Sequence, residues 1–411
     1  MKLLSKKSNF VPVFSHYRMG SSSQKQSMDA KQLQSSTIEL LRFPLAVMVL
    51  VIHMTPNVVS LVDADFNLLS GHGLYNAFAI MGSHVITHLA VPTFYMISGY
   101  LFFVNVNEWS WDVYKTKIRK RVSTLFVPYM LWNIIPFVIM ITYMVISAYV
   151  CGTTMSDVVT YVKDVCWRFF YVYKDWTEGV DWLGYEVVNS APIDGPLWFL
   201  RDLIVVTLLT PVIYLVISRG QKIAIWILFL AYVSRVWTNV QGISILAVFF
   251  FSLGAYFAIN KSSIISFADR YKYFFVPTSV VLMFVTMVYN GDNTVTGQYF
   301  YPFYVSSGVF TLWYFASVCV QKYNMKVNAT LISSCFFIYA FHYITIPRYD
   351  TPLSLIKGIT IKIMPTDNWV SEFICYIVPP VIALSVIIGL FIVCRKLFPK
   401  ATAIMTGNRG D

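Results

Sequence analysis

Arg42 and His53 stand eleven residues apart in the stretch Ile38 to His53, IELLRFPLAVMVLVIH. On an α-helix that spacing is about three turns, so the two side chains share nearly one face and lie about 16 Å apart along the axis. They can touch opposite ends of one extended ligand. Histidine suits the removal of a proton from a hydroxyl near neutral pH, and arginine suits a phosphate or carboxylate. Further groups able to do chemistry are His84 and His88, Ser98 in FYMISGYLFF (Phe94 to Phe103), Trp198, Arg201 and Asp202 in GPLWFLRDL (Gly195 to Leu203), and His342 in YAFHYI (Tyr339 to Ile344). His84 and His88, at i and i+4, share a helix face, but no third ligand accompanies them, so a structural or acceptor-lining role is expected and no metal site. Taken singly, each group also has a plain packing role: Arg42 reaching to the interface, His53 a core histidine, Gly99 a close helix contact.

The elements that must position these groups are membrane helices. Of 411 residues, 57% are hydrophobic, 17% aromatic and only 12% charged, which excludes a water-soluble globule. Apolar blocks run at 38–56, 83–104, 124–150, 196–218, 221–238, 243–259, 273–290, 298–320, 330–347 and 373–395. They predict an all-α polytopic protein of about ten spans in one domain, 37–396, between a disordered tail, 1–36, and a short tail, 397–411. The blocks at 221 and 243 are short enough that one of them can be re-entrant.

With the amino terminus in the cytoplasm, the basic residues fall mainly on inside segments, including Lys115, Lys117, Arg119, Lys120 and Arg121 before the third span and Arg395, Lys396 and Lys400 at the end. Both termini are therefore expected inside. The long loop after the third span is acidic and carries Trp167, Trp176 and Trp182, so it is expected outside, where it can admit an acceptor. The net charge of +11 reads as an orientation signal, with lipid and not nucleic acid as the partner. The first 36 residues do not form a cleavable signal peptide. Of the six cysteines, Cys151 and Cys166 share the long loop and can pair if it faces an oxidising compartment; the others read as small hydrophobes.

Charged groups at membrane depth cost roughly 2.5–3.5 kcal/mol each on insertion scales, so each needs a partner or a task. His53, Asp202 and His342 come from three different spans and converge in the outer half, which favours a chamber over scattered packing. Glycine-rich phosphate loops, zinc-protease motifs and GxSxG elbows are absent from the sequence, which excludes the soluble enzyme templates.

In this set of residues the chain resembles the acyltransferase family 3 membrane proteins, bacterial O-acyltransferases that act on sugars and polysaccharides. The resemblance rests on Arg, ten residues and His on the first helix (Arg42, His53), on Ser98 and Gly99, on the basic run before the third span, on LWFL at Leu197 to Leu200, and on Tyr339 with His342. Where some members have two arginines spaced by three, Lys117 and Arg121 stand here, and Arg201 and Asp202 replace a glutamate. The resemblance implies a multi-pass protein of the bacterial cytoplasmic membrane. Its donor is a cytoplasmic acyl-coenzyme A, acetyl-coenzyme A above all, and its acceptor a cell-surface sugar or polysaccharide, with other polysaccharide enzymes as partners. It implies that the matched His53 and Arg42 are essential to catalysis; the chemistry of acyl transfer suits His53 as base, with Asp202 or His342 orienting it. Arg42, Lys117, Arg119, Arg121 and Ser98 would be donor contacts, and His84, His88, Trp198 and Arg201 acceptor contacts. A secondary transporter and a non-catalytic sensor on the same fold stay open on the residues alone.

Overall fold

The computed structural model describes residues 29–54, 61, 70–151, 155–170, 176–180, 186–189, 191–234, 242–289, 295–345, 347, 351–364 and 368–408. In chain order the helices are α1 Ala30–Ile52, α2 Gly71–Ile80, α3 Ala90–Phe103, α4 Trp111–Arg121, α5 Val127–Cys151, α6 Met155–Val165, α7 Trp198–Leu208, α8 Thr210–Ser234, α9 Ile245–Ile259, α10 Ile264–Arg270, α11 Lys272–Tyr289, α12 Val295–Tyr323, α13 Ala329–Phe341, α14 Pro352–Ile363, α15 Trp369–Leu397 and α16 Pro399–Met405. Polar side chains start many of them: Ser70, Ser110, Ser244, Ser263, Asn328, Thr351 and Asn368 each accept a hydrogen bond from a first-turn N–H, which satisfies donors that would otherwise be orphaned. The long loop holds one antiparallel hairpin, β1 Trp176–Val180 with β2 Glu186–Asn189.

Seven helical stretches among the described residues are long and apolar enough to cross a membrane, and an eighth is the pair α9–α10 if its 103° bend is one broken span. Not every one of the ten blocks forms one long straight helix, for local reasons. The blocks at 196–218 and 221–238 become a short α7 and a long α8, and α8 breaks at Gln221, whose φ is 45°. The block at 330–347 yields α13, only thirteen residues long.

The polar tail expected to end at 36 ends earlier, because α1 begins at Ala30. Its first turns dock inward: buried Gln34 accepts hydrogen bonds through Oε1 from Ser263 Oγ (3.0 Å) and from the Ile264 N–H (3.2 Å) at the α9–α10 bend. Hydropathy cannot register a helix held by polar contacts.

α1 is central, packing against α3, α12 and α13 with Leu45, Ala46, Val49 and Leu50 almost fully buried. α3 lies close against α9, where Gly99 faces the Phe251 carbonyl and Gly254 faces that of Met96. Large apolar side chains left outward, among them Val138 and Ile146 of α5, Ile223 and Trp226 of α8, and Val381 and Val393 of α15, form a surface suited to hydrocarbon and not to water.

Candidate active site

Two clusters flank α1. At one end lies a cavity of about 510 Å³ lined by Arg42 of α1, Ser98 and Phe102 of α3, Asn105 between α3 and α4, by Lys117, Lys120 and Arg121 of α4, and by Tyr339 of α13. Lys117 and Arg121, four residues apart on α4, both stand over the Phe102 ring, at 5.3 Å and 5.8 Å from its centre. Ring contact of this kind holds cations at an apolar wall while their polar heads stay available. With Arg42 and Lys120 they place four positive groups around one cavity, a setting for a multiply anionic ligand. Ser98 is in that lining, whereas Arg119 is exposed and outside it.

At the other end sits a cluster of aromatic rings. His53 caps the carboxyl end of α1, and its ring lies 5.1 Å from that of His342 and 4.5 Å from that of Tyr343, centre to centre. His342 is 1% exposed, while His53 keeps part of its surface open. His342 Nδ1 lies 3.1 Å from the Ile338 carbonyl oxygen, an acceptor, so Nδ1 carries the proton and Nε2 holds a lone pair. That Nε2 is buried and has no hydrogen-bond partner among the described residues. The two ends are physically joined, since Tyr339 lines the cavity and His342 follows it by one turn on α13.

His84 and His88 stand near this end, with rings 6.4 Å apart at 70°. The backbone there departs from α-helical spacing: a π-helical turn, Met81–Val85, runs into a 3₁₀ turn, Ile86–Leu89. Wide turns of this type collect at functional sites. His88 Nδ1 pairs with the Tyr301 hydroxyl at 2.8 Å, and His88 is within electrostatic reach of His53. Among the described residues no three His, Cys, Asp or Glu side chains group as a metal site.

Arg201 and Asp202 are placed elsewhere. Both are buried, and Arg201 Nε donates to Asp202 Oδ1 at 3.1 Å. Pairing in place satisfies two charges that α7 would otherwise bury alone. Asp202 is thus engaged with Arg201, with no contact to His53 or His342 among the described interactions. Trp198, at the start of α7, is 36% exposed and outside the cavity. The side chains of Cys151, Trp167, Trp176 and Trp182 lie outside the described residues, as does the pairing of Cys151 with Cys166.

Sequence reasoning passed over Tyr343, Tyr301, Gly407 and Asn408. Tyr343 had a signal, being the neighbour of His342; Gly407 and Asn408 had none, since they sit in a polar carboxyl-terminal stretch.

The comparisons with known proteins bear on which reading of this arrangement holds. A family profile described as an acyltransferase domain matches residues 36–394. The succinoglycan biosynthesis protein ExoH of Rhizobium meliloti (strain 1021) is 23% identical over 352 residues, spanning 83% of this chain and 85% of its own length. No solved structure matches the chain. Because the matched region takes in every helix from the Arg42 and His53 face of α1 to the last long helix, the protein belongs to the acyltransferase family 3 membrane proteins and is an acyltransferase.

Proposed function

We propose that the protein transfers an acyl group, acetyl in the first instance, from cytoplasmic acyl-coenzyme A to a hydroxyl of a cell-surface sugar or polysaccharide in the bacterial cytoplasmic membrane. The observation that carries this reading is the placement of one four-cation cavity at the Arg42 end of α1 and a histidine pair at the His53 end, joined through Tyr339 and His342. Cations on a cavity wall suit the phosphates of the donor, and the apolar wall of Phe94, Ile97 and Phe199 suits its uncharged arm. His53, the partly open ring, takes the acceptor hydroxyl's proton. The resulting oxygen attacks the thioester carbonyl, the carbon–sulfur bond breaks, and the thiolate leaves on coenzyme A. His342 stands behind His53 with its tautomer fixed by the Ile338 carbonyl, a positioning role. ExoH's name associates that relative with succinoglycan, which supports a polysaccharide as acceptor here. Labelled acyl-coenzyme A tested for transfer into polysaccharide examines the reading directly.

The same reading needs both termini inside and the acidic loop outside. Reporter fusions after Lys222, Lys272 and Lys396 are expected to report the cytoplasm. An outside signal after Lys272 and Lys396 means that one short block fails to cross, and His342 then loses its place in the outer half.

A further inference from the structure

The described residues after α15 do not trail away from the bundle. After α15, Phe398 turns the backbone and α16 packs against α5, with Thr402 and Thr406 buried. Trp132 of α5, 1% exposed, donates from Nε1 to the Met405 carbonyl at 2.9 Å. The segment closes in a tight turn in which the Gly407 N–H bonds to Ile404 (3.1 Å) and the Asn408 N–H to Ala403 (2.7 Å). Gly407 has φ of +69°, and a Cβ at that position would lie 2.4 Å from the carbonyl oxygen of Thr124. Glycine is required there twice over, for the backbone angle and for the close approach. Thr124 follows α4 within the π-helical turn Val122–Phe126, so the tail is seated directly on the element that presents Lys117, Lys120 and Arg121. Gly407 and Asn408 complete the cavity wall beside those cations.

We infer that the carboxyl-terminal turn is part of the donor site, with the Asn408 carboxamide contacting the phosphate-bearing nucleotide end of the coenzyme. This rests on the donor reading above. A carboxamide offers two N–H donors and one carbonyl acceptor, so it serves both phosphate oxygens and the edge of a nucleobase. A wall built from this turn also gives a task to the hold that a buried tryptophan and a left-handed glycine exert on the segment: the hold fixes where Asn408 stands.

The test measures binding of two probes, coenzyme A and pantetheine, to the full-length purified protein in lipid nanodiscs. Pantetheine carries the thiol arm without the nucleotide. Asn408→Ala is expected to weaken coenzyme A binding roughly 3- to 10-fold, the scale of one lost hydrogen bond, and to leave pantetheine binding unchanged. Gly407→Val, which must displace the turn from Thr124, is expected to weaken coenzyme A binding more than Asn408→Ala does. Asn408 has φ of 54°, a backbone angle that asparagine adopts more readily than alanine, so Asn408→Gly, which removes the exposed side chain and keeps that angle without strain, is measured beside Asn408→Ala and keeps the test decisive if Gly407→Val fails to fold. Wild-type binding of coenzyme A with no loss in Asn408→Ala overturns the inference, as does an equal loss for both probes. Failure of the wild-type protein to bind coenzyme A overturns instead the donor reading on which the inference rests.

Discussion

His53→Ala is expected to leave the helix bundle folded and to lower acyl transfer by roughly 100-fold or more, the usual scale of a general base. The residue is a helix cap with part of its surface open, and its packing consists of ring contacts with His342 and Tyr343. Contacts of that kind contribute about 0.5–1.5 kcal/mol each beyond burial, a modest structural loss beside the catalytic one. Arg42→Ala is expected to act on the other end of the reaction. Losing a charged hydrogen bond to the donor weakens acyl-coenzyme A affinity by about 1.5–3 kcal/mol and leaves the proton-transfer step in place. The two effects separate in a comparison of donor affinity with single-turnover transfer. Transfer in the wild-type protein is expected to fall as pH drops through the titration of the His53 ring, because the protonated imidazole has no lone pair for the hydroxyl proton. A folded His53→Ala protein with undiminished transfer removes the base assignment.

The second large effect is structural. A Cβ on Gly99 would lie 2.0 Å from the Phe251 carbonyl oxygen, and one on Gly254 would lie 1.9 Å from that of Met96. In both cases the obstacle is backbone, so no side-chain rotation relieves it and the helices α3 and α9 must part. Overpacking costs about 1–3 kcal/mol even where side chains can give; Gly99→Ala and Gly254→Ala are expected at or above the top of that range. Ser98, next to Gly99 on α3, lines the cationic cavity, so the parting also disturbs that cavity. Gly389→Ala is the matched control, with nothing within 4 Å of the added methyl. Thermal unfolding in detergent and the yield of monodisperse protein measure all three. Equal stability of Gly99→Ala and Gly389→Ala contradicts the close crossing of α3 and α9.

The membrane fold is readable in the sequence because lipid imposes a simple rule: long apolar blocks cross, and basic residues mark their ends. The rule says nothing about helices held by polar contacts. The start of α1 is fixed by Gln34 on the α9–α10 bend and α16 by Trp132 on Met405, and neither contact leaves a trace in hydropathy. Arg42, His53 and His342 are legible for a related reason, since a polar group at depth must be explained. The structure brings His53 to His342 and Arg42 to the α4 cations. Arg201 and Asp202 pair with each other, a contact that only coordinates reveal. The non-α turns that carry His84 and Thr124 are likewise invisible in a periodicity of 3.6.

Acyl transfer from coenzyme A to a polysaccharide hydroxyl through His53 is the proposal that an assay in membranes tests. The most direct measurement supplies acyl-coenzyme A, labelled in its acyl group, to inside-out membrane vesicles that contain the protein and the polysaccharide of the source cell. The expected result is label in a base-labile ester of the polysaccharide, one coenzyme A thiol released for each acyl group transferred, and loss of both in vesicles carrying His53→Ala. Equal labelling by wild-type and His53→Ala vesicles, or no labelling in wild-type vesicles that bind the donor, would contradict the account.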